Sequence, residues 1–451
     1  MGPRDLALAI LNGPQEAPDS GFTPLDAALN RHMELSERDR AFVVHLVQGV
    51  YRWRIRLDWI IRQALRFPFK ALQVPVLNLL RLALYQIFFM DRVPESAAVN
   101  EAVKQAKRIG RRHVAGVVNG VLRNICRNKD RIAFPDPVQD REQYLSIVYA
   151  YPLWLVKQWN QELGTREAER LLDAGNAIPT VMARTHTLKS GREELLRYLR
   201  AEGIEGIPAS FSPEGIALGR LNGPINRLKS FQEGWFQVQG EAAQICSHFL
   251  APRPGEAVLD VCAGMGGKST HLASLMNDQG KVVALDRRHQ RLAGLLESTE
   301  RLNIRTVLPV AADASGPLPF LWKPSFDSIL VDAPCSGLGV ISRHPDIKLS
   351  RTKQDIQRLS DLQRRMLDQA IPLVRPGGKI LYVTCTISSE ENEGVVSDCL
   401  SRHKDLFLEN GADHIPEWGR TLIDAQGFFR TLPHRHHMEG FFAALFKKQG
   451  G

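Results

Sequence analysis

The sequence lacks an apolar run long enough to cross a membrane, because the longest candidate, NLLRLALYQIFFM, is interrupted by Arg81. The opening residues, MGPRDLALAILNG, are a poor match to a signal peptide. Cysteine is also scarce: six residues among 451, with no CxxC pair and no spacing typical of a disulfide framework. These absences argue against a membrane protein, a disulfide-rich secreted domain and a cysteine-based metal site, and they predict a cytoplasmic protein.

Length and composition are those of a globular protein with more than one domain. A hydrophobic fraction of 44% and a charged fraction of 24% are ordinary for such proteins. A chain of 451 residues exceeds what one hydrophobic core usually organises, so we expect two or three domains. The sequence does not identify a protein partner, and we expect a monomer.

The net charge of +9 is concentrated in the first third of the chain. Residues 1–135 contain 21 Lys and Arg against 12 Asp and Glu, an excess of nine, so the remaining residues are neutral overall. A basic segment joined to a neutral body indicates a polyanionic partner, most simply a nucleic acid. A solvated basic face without such a partner is the alternative.

The first third is predicted to be an all-α bundle. From Arg4 to about Arg127, apolar residues recur three and four positions apart. Basic residues cluster in Arg52–Arg56 and Lys104–His113, and Trp53 within the first cluster is more typical of a core residue than of a stacking platform for a base. The segments VPESAAVNEAVKQAKRIG and GVVNGVLRN resemble the NusB-like helical domain that precedes the catalytic part of one bacterial ribosomal RNA methyltransferase family.

A linker and a small mixed region follow the helical part. The segment FPDPVQD, residues 134–140, has two prolines and no helical periodicity. Beyond it, two short helical patterns and a stretch with turn signals predict a small α/β connector that helps to hold substrate. We therefore expect a helical RNA-binding domain (1–135), the connector (136–230) and a larger α/β domain (231–451).

The larger domain contains four short apolar runs, AVLD, VVALD, FDSILVD and KILYVT. Such runs are typical of buried parallel strands that deliver their loops to one edge of a sheet. Gly264, Gly266 and Gly267 follow the first run and let the backbone turn tightly toward a ligand as a helix begins. Asp286 ends the second run, where an acid can bind a ribose diol. A nucleoside ligand is therefore a better interpretation than a plain structural turn.

Two cysteines are predicted to face one pocket. Cys335 and Cys385 follow the runs FDSILVD and KILYVT, which we expect to form neighbouring strands. Carbon 5 of a pyrimidine accepts a methyl group only after a thiolate has added to carbon 6, and a base must later remove the carbon 5 proton. Asp332 is placed to act as the acid near ring nitrogen 3. These residues alone do not show which of the two thiols is the nucleophile. Both cysteines could instead be buried residues at strand ends.

The motifs CAGMGGKS, VDAPCSGLGVISRHPDIK, TCTISSEENE and EGFFAALFKK resemble those of the RNA cytosine-5 methyltransferases, a class I family that uses S-adenosylmethionine. The resemblance implies a Rossmann-like α/β domain with a mostly parallel sheet of seven strands. It also implies that Cys385 is the nucleophile, that Cys335 helps product release, and that Asp332 lies between cofactor and base. The cofactor contacts that it implies are Cys262, Ala263, Gly264, Met265, Gly266, Gly267, Lys268, Asp286, Asp313 and Asp332.

The sequence departs from the family pattern in the glycine loop. Gly264 and Met265 stand where the family usually has Ala-Pro, and we expect this change to alter the affinity for the cofactor without abolishing binding. Arg343, His344 and Lys348 match the segment that follows the DAPC motif. We expect these basic side chains to meet phosphate.

These features together predict an enzyme that methylates carbon 5 of one cytidine in small-subunit ribosomal RNA. Its expected cofactor is S-adenosylmethionine and its expected partner is RNA, with neither a membrane nor a metal involved. His434, His436 and His437 lack the neighbouring acids or cysteines of a metal site. Two alternatives stay open: a ribosomal RNA binding or assembly factor with an inactive cofactor fold, and a cytosine-5 methyltransferase that acts on another RNA such as tRNA.

Overall fold

The computed structural model describes residues 2–13, 24–32, 34–109, 112–221, 223–318 and 325–450. Contacts within the chain define two compact units. The first unit comprises Met1–Ala177 together with His344–Ser350, and the second comprises Ile178–Arg343 together with Arg351–Gly451. The boundaries between these two units do not coincide with the predicted domain boundaries at residues 135 and 230. A division into two units does not test a division into three domains, so the three domains stay a prediction.

The described residues form eighteen α-helices. In chain order, α1 to α18 are Pro3–Asn12, Pro24–Arg31, Glu37–Ala64, Val74–Phe89, Glu95–Ile109, Arg112–Arg127, Arg141–Val148, Leu153–Leu163, Thr165–Ala174, Arg192–Ala201, Lys229–Gln232, Glu241–Leu250, Gly267–Leu275, His289–Leu302, Ile347–Ser350, Lys353–Ala370, Glu393–Arg402 and Pro433–His436. Among the helices of the described segments, none combines the length and the apolar character that crossing a lipid bilayer requires.

The strands of the described residues all lie in the second unit. In chain order, β1 to β12 are Val181–Thr185, Gly206–Pro208, Gly215–Leu218, Phe236–Val238, Ala257–Asp260, Lys281–Asp286, Val307–Ala311, Phe326–Asp332, Val374–Thr384, Leu406–Leu408, Phe429–Arg430 and Phe442–Lys448. They form one sheet of four strands and one sheet of eight.

The first unit is a helical bundle, as predicted. Its longest helix, α3, begins after Ser36, whose hydroxyl accepts a hydrogen bond from the Asp39 amide at 3.1 Å and so caps the helix. Helix α4 is apolar on nearly every side, and residues from Val76 to Ile87 are buried almost without interruption. A helix that is apolar all round belongs in the centre of a bundle, so the apolar run read from the sequence forms the core of this unit.

Arg81 interrupts that apolar run and is nevertheless buried. Its Nε and Nη2 donate to the two carboxylate oxygens of Asp58 on α3, at 2.6 and 2.7 Å. Its Nη1 donates to the side-chain oxygen of Asn78 at 2.7 Å. A buried charge is tolerated when a partner of opposite charge and full hydrogen bonding accompany it, so this pair explains how an arginine fits inside the bundle.

The first basic cluster of the sequence does not form an exposed face. Arg52 is buried, and Arg56 lies over the rings of Trp53 and Phe89, 5.7 and 5.8 Å from their centroids. Trp53 stacks on Phe89 with a centroid distance of 4.5 Å, which agrees with its interpretation as a core residue. The second cluster is partly described, since residues 110 and 111 lie outside the described residues. Among the side chains of this cluster that the structure describes, Lys104, Lys107, Arg108 and His113 are exposed.

The small sheet forms the predicted α/β connector. Its strands run in the order β2-β3-β1-β4 and pair antiparallel throughout. Leu195 and Leu199 on α10 pack in one apolar cluster with Ala183, Ile216 and Phe236 of the strands. One helix face therefore covers one face of the sheet, which gives this region a core of its own.

The large sheet has the predicted Rossmann-like arrangement. Its main path runs β10-β12-β9-β8-β5-β6-β7, which gives the seven strands expected, and the two-residue β11 adds an eighth beside β12. The pairs β5–β6, β6–β7, β5–β8 and β8–β9 are parallel, whereas β12 pairs antiparallel with β9 and β10. Strand order reverses at β5, which has β6 on one side and β8 on the other, and ligands of such sheets bind at that point.

Parallel pairing brings the chemically active residues to one edge of the sheet. Asp260, Asp286 and Asp332 are the last residues of β5, β6 and β8, and Thr384 is the last residue of β9. Because these strands are parallel, their carboxyl ends lie along the same edge. The loops after them therefore build a single site.

Candidate active site

The glycine loop between β5 and α13 is shaped for close approach of a ligand. Gly264 and Gly266 have positive φ angles of 58° and 80°, which L side chains rarely adopt. A Cβ on Gly266 would lie 2.7 Å from the Leu295 side chain, whereas a Cβ on Gly264 would meet nothing within 4 Å. The loop is thus packed against α14 on one side and opens onto free space at Gly264.

Asp286 joins this loop to the end of the second strand. Its Oδ2 accepts a hydrogen bond from the Gly264 amide at 3.1 Å, and its Oδ1 accepts one from the Arg288 amide at 2.8 Å. Each carboxylate oxygen keeps further acceptor capacity, and a ribose diol has two hydroxyl donors. The open space at Gly264 and this fixed carboxylate therefore fit a nucleoside, and the assignment of both residues to the cofactor stays a prediction.

Other predicted cofactor contacts lie in different environments. Met265 is exposed, and Asp313 follows β7 at the same edge of the sheet. Hydrogen bonds from the Ser315 hydroxyl and amide to Asp313 lower the pKa of that carboxyl. The Cys262 sulfur lies 4.0 Å from the sulfur of Met366, among the core side chains of the sheet.

The two cysteines singled out by the sequence meet at the carboxyl ends of β8 and β9. Their Sγ atoms are 3.1 Å apart, although the residues are separated by 50 positions. Both side chains are partly exposed. The hydrogen bond with Cys385, together with burial, raises the pKa of the Cys335 thiol well above its usual value. Cys335 is therefore a thiol that keeps its proton in this arrangement.

Hydroxyl and backbone contacts hold the two cysteine loops together. The residues directly after the cysteines, Ser336 and Thr386, bring their hydroxyl oxygens to 2.7 Å. The Gly339 amide donates to the Cys385 carbonyl at 3.0 Å. A Cβ on Gly339 would lie 1.9 Å from the Gly440 carbonyl oxygen, so only glycine fits there. These contacts fix the separation of the two sulfur atoms.

Glu391 is a positioning residue that sequence reasoning missed. It is fully buried, and its Oε1 accepts hydrogen bonds from the Ser336 amide at 2.8 Å and from Gln363 Nε2 at 3.0 Å. Gln363 Nε2 also donates to the Pro334 carbonyl at 2.9 Å. Burial raises the pKa of Glu391. The acidic run SSEENE after the TCT motif was the available signal, but an acidic run by itself does not indicate burial.

Lys268 and Asp332 form a charged pair beside the cysteines. Lys268 Nζ, in the first turn of α13, donates to Asp332 Oδ2 at 2.7 Å. Burial acts to lower the pKa of Lys268, but the negative charge of Asp332 more than offsets it, and the pKa is raised. The lysine therefore stays an ammonium group. The predicted cofactor loop and the predicted acid are thus joined by one hydrogen bond.

Comparisons with known proteins identify the family. Family models match in three segments: "NusB family" over residues 1–127, "Methyltr_RsmF/B-like, ferredoxin-like domain" over residues 151–223, and "16S rRNA methyltransferase RsmB/F" over residues 247–447. A protein of Synechocystis sp. named "Probable ribosomal RNA small subunit methyltransferase B" is 36% identical over 446 residues, which cover 99% of each chain. The chain belongs to the RsmB/F methyltransferase family.

Solved structures agree with membership of the RsmB/F family. The crystal structure of PH0851 has a TM-score of 0.79 and 27% sequence identity, and the match covers 99% of each chain. The structure of NSun6 from Pyrococcus horikoshii with SFG, an S-adenosylmethionine analogue, has a TM-score of 0.60 and 25% identity, covering 67% of this chain and all of that one. This RsmB/F protein is a methyltransferase, and its cofactor is S-adenosylmethionine.

One expectation for the RsmB/F motif after Cys335 is wrong. Lys348 is 1% exposed and lies within the first unit, where its Nζ donates to the Arg52 carbonyl at 2.8 Å and to Asn176 Oδ1 at 2.7 Å. It cannot meet phosphate, because both contacts and the Tyr151 ring enclose it. Arg343 pairs with Glu439, and His344 is exposed.

Proposed function

We propose that this protein methylates carbon 5 of one cytidine in small-subunit ribosomal RNA. The substrate follows from the relatives' names and family description, and the reaction follows from the site. The observation that carries the proposal is the approach of Cys335 Sγ and Cys385 Sγ to 3.1 Å beside the Lys268–Asp332 pair. Transfer of a methyl group to oxygen or nitrogen requires no thiol, whereas transfer to carbon 5 of cytosine requires one.

Cys385 acts as the nucleophile in this proposal. A base turned out of the RNA stack into the pocket exposes carbon 6 to its sulfur. The sulfur lone pair forms the S–C6 bond, and the electrons of the C5–C6 double bond make carbon 5 nucleophilic. S-adenosylmethionine supplies the sulfonium methyl group that carbon 5 attacks. Asp332 lies three residues before Cys335 and acts as the acid at ring nitrogen 3, with the Lys268 ammonium group that donates a hydrogen bond to it as the source of the proton.

Cys335 acts in release of the product. While both sulfurs are free, their hydrogen bond is the largest cause of the raised pKa of Cys335. Bonding of Cys385 to carbon removes that cause, so the partly exposed Cys335 gives its proton to water more readily once the adduct has formed. The Cys335 thiolate then takes the carbon 5 proton, the C5–C6 double bond re-forms, and the S–C6 bond breaks to return the Cys385 thiolate.

The remaining parts of the chain are proposed to bind and position the RNA. We assign RNA binding to residues 1–135, positioning to residues 136–230 and the reaction to residues 231–451. The NusB family match and the exposed Lys104, Lys107 and Arg108 support the first assignment. We also propose that the protein acts on ribosomal RNA as a monomer in the cytoplasm.

The two cysteine roles predict different outcomes for two variants. With ribosomal RNA and S-adenosylmethionine, Cys385→Ala should lose methyl transfer, because no sulfur can add to carbon 6. Cys335→Ala should attack but release slowly, which accumulates a covalent protein–RNA adduct on a denaturing gel. Cys126→Ala in the helical unit also removes a partly exposed thiol and should behave as wild type. Full turnover by Cys385→Ala, or a Cys335→Ala enzyme with normal turnover and no adduct, contradicts the assignment.

The substrate and the enzyme class are tested separately. Transcripts of 16S ribosomal RNA and of tRNA should be compared as methyl acceptors, and methylation of tRNA alone would assign the same chemistry to another RNA. Calorimetric titration with S-adenosylmethionine tests the cofactor fold directly. A protein that binds ribosomal RNA but neither binds nor uses the cofactor would instead be an assembly factor.

A further inference from the structure

A second group of reactive side chains lies in the second unit, apart from the two cysteines. It comprises Glu214, just before β3, His248 on α12 and His271 on α13. One ligand atom from each residue lies within 4.8 Å of the other two. Glu214 Oε2 and His248 Nε2 are 2.8 Å apart, and the rings of His248 and His271 meet edge to face with centroids 5.1 Å apart.

His271 is the unusual member of this group. Its side chain is 2% exposed, and neither ring nitrogen has a hydrogen-bond partner among the described residues. A buried polar group without a partner destabilises the folded state, so native proteins rarely keep one unless a water, an ion or a ligand satisfies it. The ring faces a histidine and a carboxylate that are already paired. The unpartnered nitrogen therefore points to a third component between them.

We propose that Glu214, His248 and His271 form a site for a divalent transition-metal ion, with Zn²⁺ as the best match. Two imidazole nitrogens and one carboxylate oxygen are ligands that Zn²⁺ accepts in four-coordinate sites, with water in the fourth position. No cysteine belongs to the group, and its oxygen ligands are too few for Ca²⁺ or Mg²⁺. The sequence suggested no metal, because these residues are 34 and 23 positions apart and form no local motif.

The observed distances are compatible with this geometry after small adjustments. Tetrahedral Zn²⁺ with bonds of about 2.0–2.1 Å places its ligand atoms about 3.3 Å apart. The Glu214–His248 contact of 2.8 Å would open slightly, and the widest separation of up to 4.8 Å would close by about 1.5 Å. Rotation of side chains covers such distances, so no movement of the helices is required.

One neighbouring charge opposes binding. Arg184 Nη2 donates to the hydroxyl of Thr270, the residue directly before His271, at 3.0 Å. Its Nη1 donates to the Gly267 carbonyl at 2.6 Å and also contacts Gln239. All three partners of this buried cation are uncharged, and Glu214 is the only carboxylate of the site. We therefore expect weaker binding than at a site with two carboxylates.

The ion would connect the connector region to the helix that carries Lys268. Glu214 precedes a strand of the small sheet, whereas His271 follows Lys268 by three residues on α13. Bonds from one ion to Glu214 and His271 would fix the start of β3 relative to α13. In this proposal the ion holds these elements in place and takes no part in methyl transfer, because neither cysteine is among its ligands.

Zinc content tests the site directly. The full-length protein is stripped with a chelator, incubated with Zn²⁺, desalted and analysed for zinc by mass spectrometry. Wild type should retain about one ion per chain. His271→Gln and His248→Gln should lose it, whereas His414→Gln should keep it, because His414 pairs with Glu409 at 2.6 Å without a second histidine. Wild-type protein without bound zinc, or zinc retained by both His271→Gln and His248→Gln, overturns the proposal.

A Co²⁺ titration needs no variant and so does not depend on the variants folding. Wild-type protein should develop the visible absorption of four-coordinate Co²⁺ without a thiolate charge-transfer band in the near ultraviolet. A strong thiolate band that disappears in Cys335→Ala would place the ion on the cysteine pair and overturn the assignment. Zn²⁺ should also raise the unfolding temperature of wild type but not that of His271→Gln.

Discussion

Asp260 offers a quantitative test of how this fold sets the ionisation of a group next to the cofactor loop. The side chain is 1% exposed, and its Oδ2 accepts a hydrogen bond from the Ser269 hydroxyl at 2.6 Å. Its Oδ1 has no hydrogen-bond partner within the described part of the chain. Burial raises the pKa of Asp260 from 3.8 to about 7. The folded protein therefore binds this proton more tightly than the unfolded chain does.

The sign and size of the effect follow from the difference in pKa. Because the folded pKa is the higher one, the stability due to this proton is complete below about pH 4 and is lost as pH rises through about 7. A shift of about three units, at about 1.4 kcal/mol per unit, corresponds to about 4 kcal/mol at most. Asp260→Asn imitates the neutral carboxyl and keeps an oxygen acceptor for Ser269. The stability of wild type relative to this variant should fall by up to that amount between about pH 4 and pH 7.

Hydrogen exchange of the β5 amides measures this difference locally. The comparison with the variant is essential, because burial lowers the pKa of His186 to about 4, and that histidine contributes the opposite pH dependence. Its stabilising effect is lost as pH falls from about 6.5 through 4. Ser269→Ala removes a hydrogen bond that lowers the pKa of Asp260 and should move the transition to higher pH. A difference between wild type and Asp260→Asn that stays constant from about pH 4 to pH 7 would refute the reasoning.

Two further predictions concern buried pairs. Asp58→Ala leaves Arg81 buried without its carboxylate and should lower the unfolding free energy by about 3–5 kcal/mol in urea titrations, and a second change, Arg81→Met, should restore much of it. A loss below about 1 kcal/mol would contradict this. Thr386→Val removes the hydroxyl that meets Ser336 and should lower kcat for methyl transfer about tenfold with unchanged cofactor Kd, as should Ser336→Ala. Additive losses in the double variant would show that the two hydroxyls act separately.

Much of the fold could be read from local pattern. The apolar runs that end at Asp260, Asp286, Asp332 and Thr384 became strands of one parallel sheet, because a short β-branched run between turns suits a buried strand. The tight turn of the glycine loop could also be predicted from the sequence, since Gly264 and Gly266 adopt backbone angles that other residues avoid. The small sheet was anticipated only as a mixed region, because strands of three to five residues carry little periodicity.

Contacts between distant segments could not be predicted from local sequence pattern. Lys348 resembled an exposed phosphate ligand, yet it is enclosed by groups from residues 52, 151 and 176. Glu391 lies in an acidic run whose composition gives no sign of burial, yet it is buried and holds the loop after Cys335. A charged residue gives no local signal of burial, because the partners that permit burial come from elsewhere in the chain.

The sequence by itself determined which groups form the candidate active site. They are a glycine loop, acids at strand ends and two cysteines at the ends of neighbouring apolar runs. Tertiary structure alone decided that the two sulfurs lie 3.1 Å apart, that Lys268 binds Asp332, and that Glu214 joins two histidines. The physical reason is that residue type and periodicity are local properties, whereas a distance between side chains depends on how strands pair and helices pack. Chemistry at this site depends on those distances.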